Sequence, residues 1–222
     1  MTLTRNENLF LAKKMFAEMV YNTAYIEGCN VTFPQTQTIL DGAIINNVSV
    51  DDIQTVLNLR DAWKHMLNNI DDPLDLTYIC KINEHVSRNE SLEWGVLRYG
   101  EISVSGTSYI PEIPNQEAVI RQLEIINSIS DAKERAKEYF CYAVKNQLFW
   151  DGNKRTSTIV ANKILIENGQ GILTINKNIA EEFNTTLTDY YEFDKKEPLK
   201  KCLEKAIKGL NIKQSNSPKI KK

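Results

Sequence analysis

The chain has 222 residues, 42% of them hydrophobic, which is enough for one substantial core and a small appendage. Lys and Arg number 27 against 29 Asp and Glu, a net charge of −2, so no general affinity for nucleic acid follows. The four cysteines, Cys29, Cys80, Cys141 and Cys202, are too widely spaced to form a metal-ligand pair.

With no signal peptide and no apolar run long enough to span a bilayer, the sequence reads as cytoplasmic and without membrane contact. Apolar spacing points to an all-α chain with a minor β element. The first helix is expected over about Asn6 to Ile26, with Leu9, Phe10, Lys13, Phe16, Val20, Thr23 and Ala24 along one face, stopped by Gly28. Glu27 lies at its C-terminal end, against the helix dipole, and so wants a cationic partner; an ordinary helix-end acid is the plain alternative. Residues 28–48 form loops around a short helix near Pro34. Ser49 or Asp51 caps a helix to about Asn69, and Asp72-Pro73 opens another to about Ser87. His65 and His85 sit on these two helices and read as structural.

From Trp94 to Pro114 the pattern changes. Ile102-Ser103-Val104 and Tyr109-Ile110 flank Ser105-Gly106-Thr107-Ser108, which reads as a short β-hairpin leaning on the helices. Its edge can accept an extended segment of another protein, or be a plain surface hairpin. Gln116 to Ile129 is amphipathic. Asp131 and Glu134 have the form of a capping box for a helix over 131–148. A second helix follows from about Lys154 to Glu167, with Ile159, Val160, Ile164 and Leu165 inward. Ile179 to Tyr191 reads as a helix, and Pro198 opens the last one. Residues 195–222 hold ten Lys against Glu197 and Glu204, a charge of +8 that leaves −10 for the rest of the chain. That tail reads as a solvated helix with a frayed end.

The informative stretch is Gln147 to Thr156, which joins two of these helices. Asp151-Gly152-Asn153 is a tight turn that opens a helix, where unpaired N–H groups and the positive dipole end converge. Lys154 and Arg155 add two cations in the first turn, where dipole logic prefers acids. An anion, and a phosphate in particular, explains them; a turn with solvated cations is the alternative.

This loop resembles that of the Fic (filamentation induced by cAMP) family, whose motif runs His-x-Phe-x-Asp/Glu-Gly-Asn-Gly/Lys-Arg. Phe149, Asp151, Gly152, Asn153, Lys154 and Arg155 match it. The family's leading His is Gln147 here, and its second Arg, three residues after the first, is Thr158. Gly95-Val96-Leu97-Arg98 resembles the family's Gly-x-x-Arg. The resemblance implies a mainly helical Fic/Doc-like bundle with one short β-hairpin flap. Residues 1–30 would be an inhibitory helix packed on the core, 31–193 a Fic-like core, 194–210 a C-terminal helix, and 211–222 a disordered Lys-rich tail.

It also implies a chemistry: transfer of AMP from ATP to a Ser, Thr or Tyr hydroxyl of a target protein, or of the chain itself. Gly152, Asn153, Lys154 and Arg155 would hold the phosphates, Asp151 would hold Mg²⁺, and Tyr190 and Tyr191 offer an aromatic surface for the base, with a core role open for at least one of them. Thr23, Glu27 and Gly28 fit an inhibitory Ser/Thr-x-x-x-Glu-Gly/Asn motif; with Thr158 in place of the second Arg, Glu27 would turn to Arg155 or Lys154. Val104, Ser105, Gly106, Thr107 and Tyr109 would form the flap that docks the target, and a homodimer is a further family trait. The catalytic set is then Gln147, Asp151, Asn153 and Arg155, but a glutamine amide is not a base near neutral pH. Three readings stay open: a nucleotidyltransferase with weakened chemistry, a nucleotide-binding pseudoenzyme that regulates or docks, and Doc-like phosphoryl transfer.

Overall fold

The computed structural model describes residues 3–209. Ten helices and two short strands follow in the order α1 (Arg5–Lys14), α2 (Phe16–Tyr25), α3 (Phe33–Leu40), α4 (Val50–Asn68), α5 (Leu76–Val86), α6 (Gln116–Asn127), α7 (Ala132–Asn146), α8 (Asn153–Glu167), β1 (Ile172–Leu173), α9 (Ala180–Phe193), α10 (Lys196–Ala206) and β2 (Ile207–Lys208). The all-α class expected from apolar spacing is the class observed. Among the described residues no helix is long and apolar enough to cross a membrane.

Helix α8 is the axis. From Arg155 to Ile166 every residue is buried, because α1, α2, α4, α5, α7 and β1 pack around it. A helix buried on all sides must satisfy its own polar groups. Asn162 does so by donating to the Leu173 carbonyl and accepting from the Leu173 N–H, both at 2.9 Å. Lys163 donates to the Ile70 carbonyl at 3.1 Å and pairs with Glu167 at 3.0 Å. The expectation of four inward apolar positions was too narrow: the polar side chains between them are buried as well.

The expected first helix is two. They meet at Met15 (φ −92°, ψ 9°). Asn8 is drawn into the core, where it accepts from the Gly171 N–H and donates to the Gly171 carbonyl. That fixes the inner face of α1 and turns Phe10, about 200° further round the helix, out to 60% exposure. Helix α2 lies against α3, α4 and α8.

Three further local features differ from expectation. Asp75, rather than Asp72-Pro73, opens α5 by accepting the Tyr78 N–H at 2.8 Å. Asp131 caps α7 as expected, but Glu134 does not close the box; its carboxylate pairs with Lys200 and Lys137. Residues 102–110 form no strand ladder. The Thr107 N–H donates to the Val104 carbonyl at 3.1 Å to close a turn at Gly106, and the Val104 N–H donates across it to the Tyr109 carbonyl at 3.3 Å. The strand pair present is instead β1 with β2, antiparallel, Ile172 opposite Lys208 and Leu173 opposite Ile207. The expected C-terminal helix ends at Ala206, and the Lys-rich tail at 211–222 lies outside the described residues.

Candidate functional site

The loop between α7 and α8 is built from its own side chains. Gln147 ends α7 in the left-handed region (φ 45°, ψ 63°), and Gly152 opens α8 in the same region at φ 72°. Gly152 is required there on two grounds. The backbone conformation disfavours an L side chain, and a Cβ would stand 2.7 Å from Val86 Cγ1 and 3.3 Å from Asn83 Nδ2. Asn153 ties the loop shut: its Oδ1 accepts the Phe149 N–H and its Nδ2 donates to the Phe149 carbonyl, both at 2.8 Å. With one bond at each end of its amide so engaged, Asn153 positions the loop.

Two residues from elsewhere brace this turn. Asn83 of α5 donates to the Asp151 carbonyl at 2.9 Å and to Thr156 Oγ1 at 3.2 Å, and accepts the Gly95 N–H at 3.0 Å. Arg98, 1% exposed, has no carboxylate partner. Its guanidinium donates to five carbonyls: Gln147 (2.6 Å), Gly100 (2.7 Å), Asn146 (3.3 Å), Pro111 (3.2 Å) and Glu112. It joins the end of α7 to both ends of the 100–112 segment.

Beside the loop lies a cavity of about 650 Å³. Gln147, Asp151, Asn153, Lys154, Tyr191, Glu27, Val104, Ser105 and Thr107, all singled out in the sequence, line it together. Helix α8 has no side-chain cap and no acid in its first turn, so its first N–H groups face this space unclaimed by any side chain. The segment 104–109 is held as a roof from the other side. The Ser108 N–H and hydroxyl donate to the Glu192 carboxylate, and the Tyr109 ring stacks on Tyr191 at 5.7 Å. Gly106 and Tyr109 belong to that roof without lining the cavity.

Other expected residues fall outside it. The Tyr190 ring lies under Lys145 at 4.8 Å, and its carbonyl accepts from the same ammonium, so Tyr190 is core and offers no surface for a base. Thr23 is buried and donates to the Met19 carbonyl at 2.7 Å. Gly28 borders a neighbouring cavity, of about 790 Å³, that shares Asn184 with the first.

The electrostatics centre on Arg155, which is buried behind the loop with its side chain 4% exposed. One terminal nitrogen donates to the Glu90 carboxylate and to the Val86 carbonyl at 3.3 Å; the other stands 3.5 Å from Asp151 Oδ1. Nε stands 3.8 Å from Glu27 Oε2. Burial by itself would lower the affinity of this guanidinium for its proton, but Glu27, Glu90 and Asp151 hold its pKa above the ordinary value. Lys154 donates to the Ile26 carbonyl at the end of α2 at 2.7 Å and stands 3.5 Å from Glu27 Oε1. Glu27 thus meets the two cations that its sequence position left open. Lys154 is the cation on the cavity wall, whereas Arg155 is not among the lining residues.

Gln147 projects into the same space. Its Nε2 donates to the Val144 carbonyl at 2.8 Å and to the Tyr191 hydroxyl at 3.0 Å. The carbonyl acceptor fixes which end of the amide is nitrogen, leaving Oε1 as the free end. Burial raises the pKa of Tyr191, so it is a neutral phenol. Sequence reasoning missed Glu90, Asn58, Asn83 and Asn184. Glu90, Asn58 and Asn83 have partners distant in sequence, Asn184 lines both cavities, and no local pattern marks any of them.

Residues 73–165 match the Fic/DOC family model, a span running from the turn before α5 into the last turn of α8 and including the whole loop. The protein adenylyltransferase Fic of Drosophila persimilis is 26% identical over 175 residues, covering 74% of this chain and 34% of that protein. The Drosophila melanogaster protein of the same description is also 26% identical, with 35% of its length covered. The chain spans about a third of the length of the curated relatives it matches. Among solved structures, Fic-1 (residues 134–508) from C. elegans superposes with a TM-score of 0.71 at 25% identity, over 86% of this chain and 60% of that one. A Fic domain containing signaling protein from Bacteroides thetaiotaomicron shares the fold, with a TM-score of 0.69 at 16% identity over 92% and 87%.

Proposed function

We propose that this chain is a Fic-type nucleotidyltransferase that moves AMP from ATP to a Ser, Thr or Tyr hydroxyl of a target protein or of itself, restrained by Glu27. The observation that carries this reading is the uncapped N-terminus of α8, which opens with Lys154 onto a cavity of about 650 Å³, within the usual size range of small-molecule sites. The adenylyltransferase relatives support the same direction, as does the fold shared with an IbpA Fic domain solved in complex with adenylylated Cdc42.

The residues present fit a nucleotide. Helix N–H groups and Lys154 suit phosphate oxygens, and Tyr191 offers a neutral hydroxyl and a ring. They also fit Mg²⁺ to a limited degree. Asp151 is half exposed on the cavity wall, and a single carboxylate with phosphate oxygens suits this hard ion. No group of three or more ligating side chains occurs among the described residues, so Asp151 would hold the ion together with phosphate oxygens and water. The bound ion would supply charge stabilisation at the phosphates.

The chain's own residues divide the remaining work. The first turn of α8 and Lys154 orient the phosphates, and Asn153 and Arg98 keep the loop in register. The 104–109 roof supplies the surface on which a target segment docks. Glu27 obstructs the phosphate end by holding Lys154 and facing Arg155, with Thr23 and Gly28 setting the end of its helix. The place of a general base is held by Gln147, whose free Oε1 can orient a hydroxyl but not take its proton, a loss of roughly 10²- to 10⁴-fold in rate. That same amide, bound at Nε2 by Val144 and Tyr191, favours a second reading: a nucleotide-binding pseudoenzyme that docks or regulates without turnover. Four free cysteines accord with a cytoplasmic, reducing home.

Intact-protein mass spectrometry after incubation with ATP and Mg²⁺ tests the proposal on the chain itself, Glu27→Gly and Gln147→His. An AMP adduct on the first or second supports transfer without the histidine. An adduct only on Gln147→His gives a scaffold lacking its base. Absence from all three, with ATP still bound, leaves the pseudoenzyme.

A further inference from the structure

Arg155 is flanked by two glutamates that are held very differently. Glu90 is fixed on both oxygens: Oε2 accepts from Arg155, and Oε1 accepts from Asn58 Nδ2 at 2.8 Å. Asn58, 2% exposed, is itself fastened to the Arg88 carbonyl at 2.7 Å and receives Gln54 Nε2 at 2.8 Å. Glu27 on the opposite side has only the long contacts of 3.5 Å to Lys154 and 3.8 Å to Arg155. Among the described residues its buried Oε1 finds no hydrogen bond, and neither does Arg155 Nε. The buried Nε–H of this guanidinium is therefore unclaimed, and the carboxylate beside it reaches it poorly.

The geometry points to Glu90, braced by Asn58, as a positioning residue that holds Arg155 with its Nε edge toward the seat now taken by the Glu27 carboxylate, so that a phosphate oxygen is the exchangeable occupant of that seat. This inference rests on the nucleotide reading above and adds how the buried cation is made available. Once Glu27 withdraws, Glu90 keeps the guanidinium from following it or turning toward Asp151. The anion then meets a donor already in place and loses no affinity to ordering it. Lys154, which keeps the Ile26 carbonyl and loses Glu27, adds its remaining donors to the seat.

Charge alone predicts the reverse for Glu90, since removing a carboxylate beside an anion site strengthens anion binding. The opposed signs make the test decisive. A glutamine at 90 keeps the size of the side chain but offers one acceptor where Arg155 and Asn58 each need one, so the brace fails at one end.

Isothermal titration with ATP and Mg²⁺, and separately with inorganic pyrophosphate, is run on the chain, Glu27→Gly, Glu27→Gly/Glu90→Gln and Glu27→Gly/Asn58→Ser. Circular dichroism checks folding, and Asn58→Ser, which leaves every charge in place, reports the brace if the glutamine variant does not fold. Glu27→Gly is expected to bind ATP about tenfold more tightly than the chain, and either second substitution to lose roughly fivefold or more of that gain, the scale of a charge-assisted hydrogen bond. Double variants that bind as tightly as Glu27→Gly, or tighter, overturn the role given to Glu90. Pyrophosphate binding with the expected dependence, but no ATP binding, keeps the seat and removes the nucleotide reading. Binding of neither anion to Glu27→Gly overturns both.

Discussion

Glu27 Oε2 stands 3.8 Å from Arg155 Nε across a gap in which neither that nitrogen nor the other Glu27 oxygen has a hydrogen-bond partner among the described residues. The firm partner of Arg155 is Glu90, on the far side of the guanidinium. Truncating Arg155 therefore damages more than an anion site. Arg155→Ala strands the Glu90 carboxylate, which is 16% exposed, and is expected to destabilise the fold by about 3–5 kcal/mol. Urea unfolding checks the stability, and ATP titration should show weakened binding. Unchanged affinity would sink the view that this loop holds phosphate.

The loop itself depends on Gly152. Gly152→Ala places a methyl group 2.7 Å from Val86 Cγ1 in a backbone region that costs alanine energy even in open space. A loss of about 1–3 kcal/mol is expected, with faster amide exchange across 149–156. Gly28→Ala is the contrast. Its φ of 84° carries the same backbone cost, but no atom lies within 4 Å of a new Cβ, so it should cost less.

These positions divide by how far their partners lie along the chain. The turn at Asp151-Gly152-Asn153 was legible because residue type and spacing dictate it locally, and the partner of Asn153 is Phe149, four residues away. The cationic need of Glu27 was legible from the helix end, and its partners from the loop motif. Glu90, Asn58 and Asn83 were not legible, since an isolated polar residue in or after a helix says nothing about a partner such as Arg155, 65 residues later. The 102–110 segment misled for a different reason. Its alternation is real, with Ile102, Val104 and Tyr109 partly buried between exposed neighbours. Its polar groups are claimed from outside, by Arg98 at the ends and Glu192 at the tip, so no ladder forms.

Arg98 gives the corresponding test of the roof. Five carbonyls share one guanidinium, and a lysine ammonium has three donors at a single point, so Arg98→Lys leaves buried acceptors unmet. A cost of about 2–4 kcal/mol is expected at roughly 1–3 kcal/mol for each unsatisfied group. Hydrogen exchange should rise first in 100–112 and at the end of α7, while α4 and α10 stay protected. Uniform loss of protection would mean that Arg98 supports the whole core rather than this joint.

The fold should also weaken in mild acid through a pair away from the loop. His65 on α4 and His85 on α5 meet with ring centroids 4.9 Å apart and their planes tilted by 40°. Arg88 donates to His85 Nδ1 at 2.7 Å, and His85 Nε2 is buried without a partner. Burial lowers both pKa values below 6.5, with His65, Arg88 and Lys81 adding to the effect on His85, against an opposing contribution from Glu84. Lowered folded-state values mean that the unfolded chain binds protons first as pH falls. Stability is then level above pH 6.5 and declines as pH drops from 6.5 through the folded-state values. Replacing one ring removes both a titrating group and the repulsion on its neighbour, so His85→Phe should flatten the profile between about pH 7 and 5. Thermal melting of the chain and this variant across that range checks it. A decline of equal steepness in both would assign the acid sensitivity to carboxylates instead.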